Sequence, residues 1–413
     1  MKTRLPVRLF NGVQNALASL GRTPAGFAAR EGELLEAARK ATGLQDFGDE
    51  GFLTGLRVLL EAYDKQARLT PFGRMMVNGE LTGILKSRLQ VQEGLRERPE
   101  LQERAVRRPV FILGLPRTGT TALHHLLGQD PGNQVLEYWL AAAPEPRPPR
   151  EAWATNPRFK AAAQGLRLMY YLDPDLKAIH MMSVDGPEEC RHLLQESFTD
   201  DTFDSNATLP GYSEWYAQQD MTPSYARHRD ILRLIGATSP EERRWVLKYP
   251  AHMRHLRALL AVYPDACFVW THRDPGRVLP SLCSLVSGWR GLYEGSVDRH
   301  AIGRWQLELW SQTMNDAMAV RDSVDPAQFF DLAFEDIVSD PAGALKRMYD
   351  HFDFPFTPEA DAAIHAWHGH NPQGKHGEHR YSPEEYGLSP TEMADRFAPY
   401  ITRYHVPQEG RRS

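Results

Sequence analysis

The stretch Val110-Phe111-Ile112-Leu113-Gly114-Leu115-Pro116-Arg117-Thr118-Gly119-Thr120-Thr121 constrains the fold more than any other part of the chain. Four apolar residues of buried-strand character run into a loop with glycines at 114 and 119, and a helix-like run follows over residues 122–127. Such a strand–GxxxxG–helix frame uses backbone N–H groups and a helix N-terminus to cradle phosphate oxygens. An NTPase would continue with Lys and Ser/Thr. Here the next residues are Thr120 and Thr121, and the only cation of the loop, Arg117, lies inside it. The expectation is a loop that holds a phosphate ester without transferring a γ-phosphoryl group.

The rest of the chain reads as a doubly wound α/β protein around that loop. Short apolar runs at 245–247, 267–271 and 328–332 look like buried parallel strands, separated by helical stretches. Residues 1–105 contain no strand-like run. Leu56, Leu59, Leu60 and Tyr63 share one helix face, and Leu81, Ile84, Leu85 and Leu89 continue in that style. We therefore expect a helical N-terminal extension over 1–105 and a P-loop domain over 106–413. A helical insertion is expected at about 150–240. The His-, Gly- and Pro-rich tail after about 367 reads as loops wrapped on the core.

Composition narrows the function. A chain of 413 residues with 42% hydrophobic residues can bury a full core. A formal charge of −5 argues against a general nucleic-acid binder. The three cysteines, Cys190, Cys267 and Cys283, are scattered and odd in number, which favours small buried hydrophobes over disulfides or metal ligands. No apolar run reaches the ~18–20 residues of a membrane span, and Asn11, Gln14 and Asn15 interrupt what would be a signal peptide's apolar core. A reducing cytoplasm is the expected compartment.

A second anion site appears at the end of the run 267–271. His272-Arg273-Asp274-Pro275 follows it, and a helix then carries Ser281, eight positions after Arg273. An arginine at the carboxyl end of a parallel strand points into the crevice where doubly wound sheets bind ligands. With both elements in place, the chain resembles the sulfotransferases that use 3′-phosphoadenosine-5′-phosphosulfate (PAPS). It is most similar to the bacterial branch with a Pro-Arg-Thr-Gly-Thr-Thr loop, and the resemblance runs over roughly residues 108–385. It implies that Pro116, Arg117, Thr118, Gly119, Thr120 and Thr121 bind the 5′-phosphosulfate and that Arg273 and Ser281 bind the 3′-phosphate. It also implies that Lys248, at the end of the run 245–247, faces the transferred sulfuryl group. Lys375, in Gly374-Lys375-His376-Gly377, stands where the family has a basic loop that closes over the 3′-phosphate. The family's usual Arg-Lys-Gly is absent there.

Sulfuryl transfer is mostly positioning and charge stabilisation, by analogy with phosphoryl transfer. Arg117 and the loop amides are placed to stabilise the departing phosphate, and no metal is required. A hydroxyl acceptor, or less readily an amine, needs a general base. His180, Glu188 and His252 are the candidates. His180 is favoured, with Glu188, read as lying in the first turn of a helix started by Pro187, orienting or replacing it. Each of the three has a plain structural alternative as a satisfied core or helix-end residue. Met and aromatic residues over 166–216 suggest either ordinary core or an apolar pocket for a small or lipid-like acceptor. The N-terminal helices then supply a lid or a homodimer surface. The competing readings are a P-loop nucleotide kinase or NTPase, which Thr120 in place of lysine disfavours, and a non-catalytic nucleotide-binding module.

Overall fold

The computed structural model describes residues 5–20, 25–172, 182–371 and 382–408. At its centre lie five parallel strands: β1 (Val110–Gly114), β2 (Asn133–Val135), β3 (Arg244–Lys248), β4 (Cys267–His272) and β5 (Phe329–Ala333). Their spatial order is β2-β3-β1-β4-β5. Helices cover both faces, which is the doubly wound α/β architecture expected from the sequence. The double cover explains why the inner strands read as unbroken apolar runs. Phe111 and Leu113 of β1 enter one apolar cluster while Val110 and Ile112 enter the other. β4 divides likewise, with Phe268 and Trp270 on one face and Cys267 and Val269 on the opposite face.

From β1 the chain passes to β2 and β3 on one side, then crosses to β4 and β5 on the other. β1 and β4 are neighbours, with Gly114 beside Thr271, yet the segments that follow them leave in opposite directions. This is a topological switch point, where open α/β sheets form a ligand crevice beyond the strand ends. Both predicted anion-binding segments begin there.

Among the described residues, four α-helices precede the sheet: Leu5–Ser19, Glu31–Thr42, Phe52–Lys65 and Pro71–Arg96. Leu56, Leu59, Leu60, Tyr63, Leu81, Leu85 and Leu89 pack into the same apolar cluster as Phe111 and Leu113. Pro71–Arg96 starts cleanly: Thr70 caps it by accepting from the Gly73 N–H, and Pro71 occupies the first turn. Thr70 also ties the helix to helix Pro275–Glu294, because its N–H (2.9 Å) and hydroxyl (3.0 Å) both donate to the Tyr293 carbonyl. Gly73 is required at this crossing: a Cβ there would lie 2.0 Å from that carbonyl oxygen.

Several local expectations need correction. Pro187 does not start a helix. It pairs with Glu137 in an isolated antiparallel bridge, the Glu188 N–H donates to the Leu136 carbonyl at 2.7 Å, and the next helix begins only at Arg191. A cross-chain backbone partner has outcompeted the proline signal. The tail is also more regular than loops. Helix Pro358–His370 runs past residue 367, and Pro390–Arg396 and Ala398–Tyr404 follow. Met393, Phe397 and Tyr400 are buried at helical spacing, which the charged residues between them had masked. The short edge strand β2 escaped notice because Asn133 and Gln134 are polar. Both are buried but satisfied, Asn133 by the Leu127 carbonyl and Tyr349 hydroxyl, and Gln134 by the Arg243 carbonyl and Arg147.

Candidate active site

The loop after β1 is shaped by three residues at positive φ: Gly114 (139°), Arg117 (73°) and Gly119 (88°). Gly114 is sterically obligatory, since a Cβ would meet Thr271 Oγ1 at 2.2 Å and the Thr271 carbonyl at 2.7 Å. The Thr271 hydroxyl donates to the Leu113 carbonyl (3.0 Å) and lies 2.6 Å from the Thr118 hydroxyl, itself 2.7 Å from the Leu115 carbonyl. β4 thus pins the loop through side chain and backbone together. Gly119 opens helix Thr120–Leu127, and no side chain caps that N-terminus. An uncapped helix start beneath a tight loop is a fit cradle for an anion.

The second arm follows β4. Asp274 caps helix Pro275–Glu294 by accepting from the Gly276 N–H at 2.9 Å, with Pro275 in the first turn. Arg273 Nη1 donates to the Arg117 carbonyl (3.2 Å), and its guanidinium lies 3.8 Å from the Phe334 ring centroid. Arg117 Nε in turn donates to Ser281 Oγ at 3.2 Å. The two arms therefore touch, with Arg117, Arg273 and Ser281 gathered at the β1/β4 switch point.

These residues line one wall of a cavity of about 540 Å³. Lys248, last residue of β3, is buried, and its Nζ pairs with the Glu189 carboxylate and lies 3.5 Å from Thr121 Oγ1. Pro116, Gly119, Thr120 and Thr121 share that wall. The lining also has an apolar and aromatic part, with Met76, Met169, Met182, Trp289, Trp305 and Trp310. It also carries Asp201 and Asp204, held in ion pairs with Arg254 and Arg290.

The sequence candidates divide sharply. Arg117, Thr118, Gly119, Thr120, Thr121, Arg273, Ser281 and Lys248 come together. Glu188 lies behind the wall: its carboxylate accepts from the Glu189 N–H (2.9 Å), and Arg191 stands 3.6 Å away. The neighbour Glu189 lines the cavity instead. His252 is fully buried in the core and is not among the cavity-lining residues. Its Nδ1 lies 2.8 Å from the Tyr225 hydroxyl, its ring meets Phe111 edge-on at 5.1 Å, and burial holds its pKa well below the usual histidine value. His180 and Lys375 lie outside the described residues. Of the apolar run over 166–216, Met169 and Met182 line the cavity, whereas Phe198, Phe203 and Tyr216 are core. Met181 lies outside the described residues.

Sequence reasoning missed Glu189, Arg191 and Glu80 as cavity residues. Glu189 sits one place from a residue it did single out, and the irregular backbone at Pro187 decided which of the two faces inward. Glu80, from helix Pro71–Arg96, has no motif around it. Burial raises its carboxyl to about 7, against the smaller opposing influence of Arg191 and of hydrogen bonds from Tyr293 and Asn206. Among the described residues no cluster of three His, Cys, Asp or Glu could hold a metal ion, and no helix is long and apolar enough to cross a membrane.

Comparison with known proteins agrees with this geometry. Residues 109–358 match the model of a family described as the sulfotransferase family. The crystal structure of sulfotransferase STF1 from Mycobacterium tuberculosis H37Rv is 38% identical, covering 91% of this chain and all of that one, with a TM-score of 0.82. STF9 from Mycobacterium avium is 30% identical over 92% of this chain and 98% of its own, with a TM-score of 0.85. A curated relative, the omega-hydroxy-beta-dihydromenaquinone-9 sulfotransferase Stf3 of Mycobacterium bovis, is 28% identical over 249 residues. That match spans 59% of this chain and 62% of the relative's length.

Proposed function

Since the chain belongs to the sulfotransferase family, we propose that it moves a sulfuryl group from PAPS to a hydroxyl of a small or lipid-like acceptor. The observation that carries the donor assignment is the meeting of Arg117, Arg273 and Ser281 over a lysine-free phosphate loop. One arm suits the 5′ end of a nucleotide and the other its 3′-phosphate. The steric need for glycine at 114 and the uncapped helix start at Thr120 fit the loop to a phosphate that bonds to backbone N–H groups. When bound, PAPS supplies an activated sulfuryl group on its phosphosulfate anhydride.

The chain's own residues have the following roles in this reading. Pro116 to Thr121 hold the 5′-phosphate, and Arg117 with the helix start carries the negative charge left on it. Arg273 and Ser281 hold the 3′-phosphate. Lys248, buried at the strand end, stabilises the charge on the transferring group, where low polarity strengthens its effect. Glu189, paired with Lys248, whose Nζ lies 3.5 Å from Thr121 Oγ1, takes the proton of the acceptor hydroxyl. Lys375 closes over the 3′-phosphate. His180→Ala tests the other base candidate: retention of near wild-type kcat in that variant, with loss in Glu189→Gln, supports the carboxylate.

The acceptor side favours an apolar molecule. Three Trp and three Met side chains at the cavity wall suit a hydrocarbon or ring system, and the relative Stf3 is named for a lipid-like menaquinone substrate. In this reading residues 1–105 supply part of the acceptor wall while 106–413 carry the donor site. The three buried, free thiols suit a reducing cytoplasm. The deciding experiment is a sulfuryl-transfer screen with PAPS across alcohols, phenols and amines. Turnover of an apolar alcohol or phenol supports the proposal. Absence of transfer to every class, in protein that binds 3′-phosphoadenosine 5′-phosphate (PAP), contradicts it.

A further inference from the structure

Helix Pro71–Arg96 precedes the family-matched segment 109–358, and yet it reaches into the cavity. Gly73, Met76 and Glu80 fall at i, i+3 and i+7, one face of a helix. Gly73 sets the distance of that face from helix Pro275–Glu294 through its backbone contact with Tyr293, and Thr70 locks the contact with two hydrogen bonds. Met76 and Glu80 are thereby placed in the wall.

The Glu80 carboxyl is poorly provided for. Arg191, Tyr293 and Asn206 each act to lower its pKa, by less than burial raises it. Its Oε2 is shielded from solvent and has no hydrogen-bond partner among the described residues. A carboxyl with an unpaired oxygen, on a residue that lines a cavity together with Met and Trp side chains, is a candidate recognition group.

We propose that Glu80 selects the acceptor, by hydrogen-bonding a second hydroxyl on an otherwise apolar alcohol while its first hydroxyl is sulfated. The inference rests on the sulfotransferase reading above and names its acceptor class. A hydroxyl is the group that fits, because it both gives and takes a hydrogen bond. It therefore satisfies the carboxyl whether Glu80 carries a proton or not, and Glu80 is poised between the two states near neutral pH. A carbonyl would serve only the protonated form and an ammonium only the ionised one. The N-terminal helices thus act in specificity. A site built to hydrogen-bond a hydroxyl discriminates strongly against the analogue that lacks it, because the buried polar group is then left without a partner.

The test compares a long-chain α,ω-diol with the matching monoalcohol, each added to the PAP-saturated protein, with the shift in Tm as the readout. Wild type is expected to respond to the diol at roughly tenfold lower concentration than to the monoalcohol. Glu80→Leu should bring the two responses together, while Glu80→Gln, which keeps one acceptor oxygen and gains a donor, should keep much of the preference. The Tm shift with PAP alone confirms that each variant is folded. Equal stabilisation of wild type by both alcohols, stabilisation by neither, or an undiminished preference in folded Glu80→Leu overturns the proposal. Because binding is read without turnover, failure here is distinct from failure of sulfuryl transfer, which the PAPS screen reports.

Discussion

The proposed donor cradle and the proposed acceptor wall share one cavity but are built by different means. The cradle is chiefly backbone: Gly114 and Gly119 at positive φ, an uncapped helix start, and two arms that leave adjacent strands. The wall is side chain, with Met76, Asp204, Trp289 and Trp305 projecting from four separate helices. A cradle of this sort is fixed by sterics that no side-chain exchange can relax. The wall is a sum of many moderate contributions, each exchangeable without loss of the fold.

Four substitutions probe the difference between cradle and wall, taken in falling order of effect. The first concerns an energetic burden behind the wall, at a buried residue that does not itself line the cavity. Asp200 adjoins Asp201 and is fully buried, its Oδ1 accepting from the Thr202 N–H at 2.8 Å while Oδ2 has no hydrogen-bond partner among the described residues. Burial pushes its carboxyl up to about 7. The folded state therefore holds this proton more tightly than the unfolded chain does. The resulting stability is complete below the unfolded value near 4 and is lost as pH rises through about 7. The loss is on the order of 4 kcal/mol. Asp200→Asn should flatten the fall in Tm between pH 4 and 8, leaving the variant more stable than wild type at pH 8. An unchanged slope would show that this wall is not strained.

Next, Lys248→Ala should lower kcat by roughly 10²–10³-fold, the scale of losing one charge-stabilising group. PAP affinity should stay within a few-fold of wild type. An equal loss in PAP affinity would assign Lys248 to donor binding instead. Arg273→Ala should weaken PAP by about 10–100-fold and leave the weaker response to AMP nearly unaltered. Loss of both responses together would mean that the cradle collapses when one arm is removed. The smallest effect belongs to Met76→Ala, which should raise the KM for an apolar acceptor several-fold, a loss of about 1 kcal/mol. PAP binding should not change. A change in PAP affinity would erase the distinction between cradle and wall.

That same distinction decides what could be read from the sequence. The cradle was legible because its parts are contiguous: residues 110–121 carry the loop, and Arg273 to Ser281 carry the second arm. Lys248 was legible because a charged residue ends an apolar strand run. The wall was not legible. Met76 and Glu80 look like ordinary positions on an amphipathic helix, and only the crossing at Gly73 and Tyr293 turns them inward. Glu188 and Glu189 differ by one position, and a backbone bridge at Pro187, invisible locally, made Glu189 the inward-facing residue. His252 stood four residues beyond a site lysine, and the turn of the 3₁₀ helix Pro250–His255 carried it into the core.

The central claim is that the two anion arms recognise the two ends of one 3′-phosphorylated nucleotide. Isothermal titration of the wild-type protein with PAP and with AMP tests it most directly. The account predicts that PAP binds at least tenfold more tightly than AMP, through the phosphate that meets Arg273 and Ser281. Equal affinities for the two nucleotides would contradict it.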